Sequence, residues 1–172
     1  MYHFFLDTSA WVKRYITESG TPSVSRLFDN VPKKQISASI LALGELESVL
    51  IRKKNSRQIS ETIYLKALSA FYADIIGESV VILHPVLDDQ VWASIFFIQQ
   101  YFVNATDAII LRCALDMANI LRPLGDDLVL VTSDIRLANS ARLSNLMVFD
   151  PERNDQPSLE KLMGNENLSN AG

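Results

Sequence analysis

FFLDTSAWVKRY, residues 4 to 15, runs three apolar residues into an aspartate, then a Thr-Ser pair, then the first turns of an amphipathic helix. A buried strand that hands over to a helix across Asp7 admits two explanations. The carboxylate can cap the helix by accepting backbone N–H bonds. It can also belong to a site, because ligands of an open parallel sheet gather beyond the carboxyl ends of its strands. The stretch by itself does not choose.

Outward from it, short apolar runs recur as QISA (35 to 38), VVILH (80 to 84), LVLVT (128 to 132) and LMVF (146 to 149), with YHFFL (2 to 6) the first. They are continuous rather than alternating, as strands covered on both faces are. Segments of helical spacing lie between them: Thr8 to Tyr15, Pro22 to Asn30, Ile40 to Lys53, Ser60 to Ile76, Val86 to Tyr101, Thr106 to Leu121 and Asp134 to Leu143. Alternating strands and helices predict an α/β fold, three layers deep, with a mostly parallel sheet of five strands flanked by helices. No repeat or linker divides the chain, so residues 1–150 are read as one domain, with 52–102 a helical elaboration around one strand. Residues 151–172 turn polar and are expected to form a mobile tail.

With 172 residues the chain can bury about two thirds of its unfolded surface. One cysteine, Cys113, allows no internal disulfide, and MYHFFL is too short for a signal core. The apolar runs fall short of a bilayer span. A soluble, cytoplasmic protein without a membrane segment is expected. Sixteen Lys and Arg against 20 Asp and Glu give a net charge of −4, which argues against a broad basic nucleic-acid surface.

Three further acids stand out. Asp134 follows LVLVTS and opens IRLANSAR, so it caps a helix or joins a site, as Asp7 does. Asp107 shares a helical face with Ile110, Ala114, Met117 and Leu121, which places a carboxylate on an inward stripe. Asn104 and Thr106 are better placed to cap, so Asp107 points towards a pocket at the rim of the core. In ILALGELESVLI the helix is apolar almost all round, and Glu45 and Glu47 both need an explanation; spacing does not separate them.

Asp7 and Asp134 both fall at carboxyl ends of strands, and Asp107 starts a helix that faces the core. Carboxylates ~4 Å apart repel by about 4 kcal/mol per pair at an effective dielectric of 20, so folding does not gather them without a cation. Oxygen-only donors suit Mg²⁺ or Mn²⁺; Zn²⁺ favours Cys and His, and His3 and His84 are read as structural. There is no GxxxxGK[ST], no GxGxxG after the first strand and no GxSxG. A phosphatase nucleophile at Asp7 would want a second Asp at position 9, which is Ser.

Four blocks, FLDTSAWVKRYITESGT, SASILALGELESVL, ATDAIILRCAL and LVTSDIRLANSA, occur in this order across residues 4 to 141. They resemble PIN-domain ribonucleases, and within them the VapC-like toxins of prokaryotic toxin–antitoxin pairs. The resemblance assigns Asp7, Glu45, Asp107 and Asp134 as catalytic acids that hold Mg²⁺ or Mn²⁺, and so chooses Glu45 over Glu47. It places Thr8 and Thr132 as hydrogen-bond partners of those carboxylates.

The implied activity is metal-dependent endonucleolytic cleavage of RNA, with an antitoxin protein and a homodimer as further partners. Lys13, Arg14, Arg136 and the run RKKNSR (52 to 57) are the cations expected to meet RNA phosphates. Trp11, Phe96, Phe97 and Tyr101 are apolar residues available for protein contacts or for the core. The alternative is a non-catalytic, receiver-like signalling or interaction module, which would want paired acids by the first strand and a Lys after the last; the last strand here ends FDPERN.

Overall fold

Each apolar run contributes a strand, and all five strands join one parallel sheet. The computed structural model describes residues 1–77 and 80–164. The strands are β1 (Tyr2–Leu6), β2 (Ile36–Ser39), β3 (Ile82–His84), β4 (Asp127–Val131) and β5 (Met147–Phe149), in the spatial order β3-β2-β1-β4-β5. Eight α-helices are present among the described residues: α1 (Thr8–Trp11), α2 (Thr21–Asn30), α3 (Leu41–Asn55), α4 (Glu61–Tyr72), α5 (Asp88–Tyr101), α6 (Ala105–Leu121), α7 (Ile135–Leu143) and α8 (Gln156–Leu162). None is long and apolar enough to cross a membrane.

The two-residue period of a strand sends successive side chains to opposite faces, and both faces are covered. Phe4, Leu6, Ile36, Ala38, Val129, Val131 and Phe149 enter one core beneath α1 to α4 and α8. Phe5, Leu128 and Leu130 enter the other, with α5, α6 and α7. This double burial is why the strands read as unbroken apolar runs. The register is tight where it matters: Leu6 lies beside both Ala38 and Val131, and the Asp7 amide donates to the Val131 carbonyl at 3.0 Å.

Helix starts carry side-chain oxygen acceptors. Ser60 accepts from the Ile63 amide at the start of α4, Asn104 from the Asp107 amide at α6, and Asp155 from the Ser158 amide at α8.

The mobile tail expected from residue 151 is corrected for residues 151–164. Leu159 on α8 is 0% exposed within the first core, Arg26 of α2 pairs with Glu160 at 2.6 Å, and Lys13 donates to Glu152 at 2.6 Å. Gly20, with φ +84, lies so close to this segment that a Cβ would sit 2.8 Å from the Pro151 carbonyl oxygen. One buried leucine at helical spacing among polar neighbours anchors the segment, and composition alone hides it. Residues 165–172 of the expected tail lie outside the described residues.

Candidate active site

The sheet order fixes where a crevice must open. From β1 the chain crosses to β2 on one side, and from β4 it crosses to β5 on the other. The loops beyond the adjacent carboxyl ends of β1 and β4 therefore diverge, which is the topological switch point of such a sheet. Asp7 directly follows β1, and Asp134 follows β4 after Thr132 and Ser133. Glu45 enters from the second turn of α3 and Asp107 from the first turn of α6. All four carboxylates line one open cleft of about 540 Å³, together with Thr8 and Ser9.

Hydroxyls organise the floor of the cleft. Asp7, 5% exposed, accepts at Oδ2 from Ser9 Oγ at 2.6 Å, Thr132 Oγ1 at 2.9 Å and the Ser9 amide at 3.2 Å. With both hydroxyl protons aimed at Asp7, their oxygens accept from the next loop. Ser133 N donates to Ser9 and Asp134 N to Thr132, at 2.9 and 3.1 Å. Thr8 Oγ1 donates to Glu45 Oε2 at 2.9 Å, and Asn104 Nδ2 to Asp107 Oδ2 at 2.8 Å.

The capping explanation also holds in part. Asp134 Oδ1 accepts from the Arg136 and Leu137 amides at the start of α7, and Asp7 caps the short α1. Glu45 and Glu47 separate cleanly: Glu45 lines the cleft, while Glu47 accepts from Tyr72 of α4 at 2.9 Å.

Electrostatics records the crowding. Burial pushes the Asp7 carboxyl above the usual range, against the hydrogen bonds from Ser9 and Thr132. Burial also raises Glu45, with Asp7 adding repulsion. Asp107 is pushed up to about 7, by burial first and then by the charges of Asp7, Asp134 and Glu45. Among the described residues no three His, Cys, Asp or Glu close into a cage that would hold an ion as it stands. The donor chemistry nonetheless fits a hard divalent cation: four carboxylates and no sulfur or imidazole line the cleft.

The raised Asp107 carboxyl carries a stability consequence. The folded state holds this proton more tightly than the unfolded chain, so stability is lost as pH climbs from about 4 towards about 7 and stays lost above. Metal-free Asp107→Asn is expected to gain ~1 kcal/mol over metal-free wild type at pH 8, after screening by water in the open cleft. That corresponds to a melting point roughly 2–4 °C higher for a chain of this size. The gap should close as pH falls towards 4; a variant that melts lower than wild type at pH 8 would contradict it.

Two of the cations expected to meet RNA are corrected. Lys13 is 2% exposed and its ammonium is held by Glu18 and Glu152, at 2.9 and 2.6 Å. Arg14 is paired with Asp74 at 2.6 Å and stacks over Phe28 at 4.1 Å. Both cations brace the first core. Arg136 is exposed, and its charge opposes the rise of Asp107, so it stands near the cleft. Within RKKNSR, Arg52 lines the cleft, whereas Lys53 is drawn to Glu18 and Lys54 to Glu61.

Among the apolar residues, Trp11 and Phe97 are buried and Tyr101 is half-buried, while Phe96 is exposed with Trp92 and Phe102 on and after α5. His84 stacks on Phe5 outside the cleft lining, and burial lowers its pKa. Ser9 was not singled out in the sequence as a support for the acids. The signal available was its position two residues after Asp7, where a hydroxyl reaches back to the carboxylate.

No protein-family model matches the sequence, and no curated protein matches it. Solved structures do match in three dimensions. FitAcB from Neisseria gonorrhoeae aligns with 17% identity over 88% of this chain and 99% of its own, with a TM-score of 0.57. VapC20 of Mycobacterium tuberculosis, a Sarcin-Ricin loop cleaving toxin, aligns at 18% identity over 80% of this chain and 94% of its own, with a TM-score of 0.56. A toxin–antitoxin complex from Klebsiella pneumoniae aligns at 19% identity, covering 86% of this chain and 96% of that one, with a TM-score of 0.54. At these identities the likeness establishes architecture, and the chain has the PIN-like α/β fold that these structures share.

Proposed function

We propose that this chain is a metal-dependent endoribonuclease and the toxin half of a toxin–antitoxin pair, working in the cytoplasm. The observation that carries the reading is the convergence of Asp7, Glu45, Asp107 and Asp134 on one cleft at the switch point of the sheet. Their burial and mutual repulsion would be relieved by a cation. The fold likeness to a toxin that cleaves RNA and to toxin–antitoxin complexes supports the same reading.

The four carboxylates would hold one or two Mg²⁺ or Mn²⁺ ions. When bound, such an ion supplies Lewis acidity and a coordinated water of lowered pKa. The protein's own part is positioning. Ser9 and Thr132 orient the Asp7 carboxylate, Thr8 orients Glu45, and Asn104 orients Asp107. Arg136, exposed and close enough for its charge to act on Asp107, would offset the phosphodiester charge. The exposed aromatics Trp92, Phe96 and Phe102 mark the surface available to protein partners, an antitoxin foremost.

A receiver-like role finds little support at Asp7, because its carboxylate is buried and already accepts three hydrogen bonds on one oxygen. The test is cleavage of a structured RNA by the purified protein with Mg²⁺, with Mn²⁺ and with EDTA. Endonucleolytic products with either cation and none with EDTA are expected. Equal cleavage in EDTA sinks the metal mechanism, and an intact RNA throughout sinks the nuclease.

A further inference from the structure

The acidic cleft does not end at the acids. Glu45 and Arg52 are seven residues apart on α3, two turns along one face and about 10 Å apart along the axis. Both line the cleft, and Val49 and Arg52 also line a second open hollow of about 710 Å³ with Lys53, Asn55, Ser56 and Gln58. The two hollows share Val49 and Arg52 and so form one continuous trough. Gly44 and Ser48 also line the first cleft along α3, and their small size leaves its wall open.

The charges along this trough are unequal. Lys53 is held by Glu18 at 2.8 Å and Lys54 by Glu61 at 3.2 Å. Arg52 is exposed and, among the described residues, forms no ion pair. A guanidinium at the exit of an acid-lined cleft, followed by amide and hydroxyl groups, is a donor set for phosphate oxygens and sugar hydroxyls. The second hollow has no aromatic lining on which to stack a base, so what it offers a strand is hydrogen bonds and charge.

We propose that Arg52, backed by Asn55, Ser56 and Gln58, is a phosphate-binding subsite that receives single-stranded RNA as it leaves the acidic cleft along α3. This rests on the ribonuclease reading and adds to it the path of the strand. On a chain of net charge −4, a cation at this exit draws an anionic strand past a cleft that otherwise repels it.

The test uses Asp7→Asn protein, so that bound RNA survives, with fluorescent single-stranded RNAs of unrelated sequence in Mg²⁺ across a range of salt. Adding Arg52→Ala is expected to weaken binding about five- to tenfold on every sequence and to reduce the log K against log salt slope by about 0.7. Arg52→Lys should retain most of the slope, and Lys54→Ala should leave affinity and slope unchanged. If the parent binds RNA and Arg52→Ala alters neither affinity nor slope, the subsite is overturned while the nuclease stands. If the parent binds no RNA and wild type cleaves none, the ribonuclease reading falls and the subsite with it.

Discussion

Asp7→Asn is expected to lower the rate of RNA cleavage by about a thousandfold or more while leaving the fold intact. Asp7 is the most enclosed of the four acids and stands where the loops after β1 and β4 meet, so it faces the others across the cleft. Asparagine keeps an oxygen for the donors on Ser9 and Thr132 and loses the charge that a cation requires. It also removes a carboxylate whose burial opposes ionisation, so the variant should melt no lower than wild type. Initial cleavage rates in Mg²⁺, read beside melting curves, separate the two effects. Activity within threefold of wild type would remove Asp7 from the chemistry, and a collapse of the melting point would make the loss uninformative about catalysis. In that event Glu45→Gln, on a half-buried side chain, carries the same test.

Leu159→Ala is expected to cost ~2–4 kcal/mol, the range for truncating a fully buried leucine. Against a typical total stability of about 5–15 kcal/mol this is a large loss. The reason lies in what α8 holds together: Leu159 is in the core beneath β5, Glu160 reaches Arg26, and Glu152 completes the pairing of the buried Lys13. Urea unfolding of the variant measures it. A change below ~0.5 kcal/mol would mean that the segment after residue 150 packs only loosely.

The sheet was legible because burial on both faces writes itself into sequence as unbroken apolar runs, and all five were placed within two residues of the strands found. Caps such as Asn104 and Asp134 were legible for a similar reason, since the chemistry is local. Lys13 and Arg14 were misjudged because each has a partner remote in sequence: Glu152 lies 139 residues from Lys13 and Asp74 lies 60 from Arg14. A basic residue beside a helix looks solvated until the carboxylate that buries it is located. Glu45 and Glu47 were inseparable by spacing, and the resemblance made a choice that periodicity did not. Their different surroundings, a cleft for one and Tyr72 for the other, depend on how α4 folds back on α3. Ser9 was overlooked as a support because its value depends on Thr132 and Ser133, which only the pairing of β1 with β4 brings near.

That pairing joins the second residue of the chain to residue 127 and the sixth to residue 131. On the ribosome, β1 emerges early and waits for more than a hundred residues of intervening chain before its neighbour on that side exists. The hydroxyl of Thr132 that fixes Asp7, and Asp134 itself, arrive later still. Until residues 127 to 134 are made, Asp7 lacks the strand beside it, the Thr132 hydroxyl and the Asp134 carboxylate. On the proposed ribonuclease reading, this order of synthesis defers assembly of the acid cluster until translation of the domain is nearly complete.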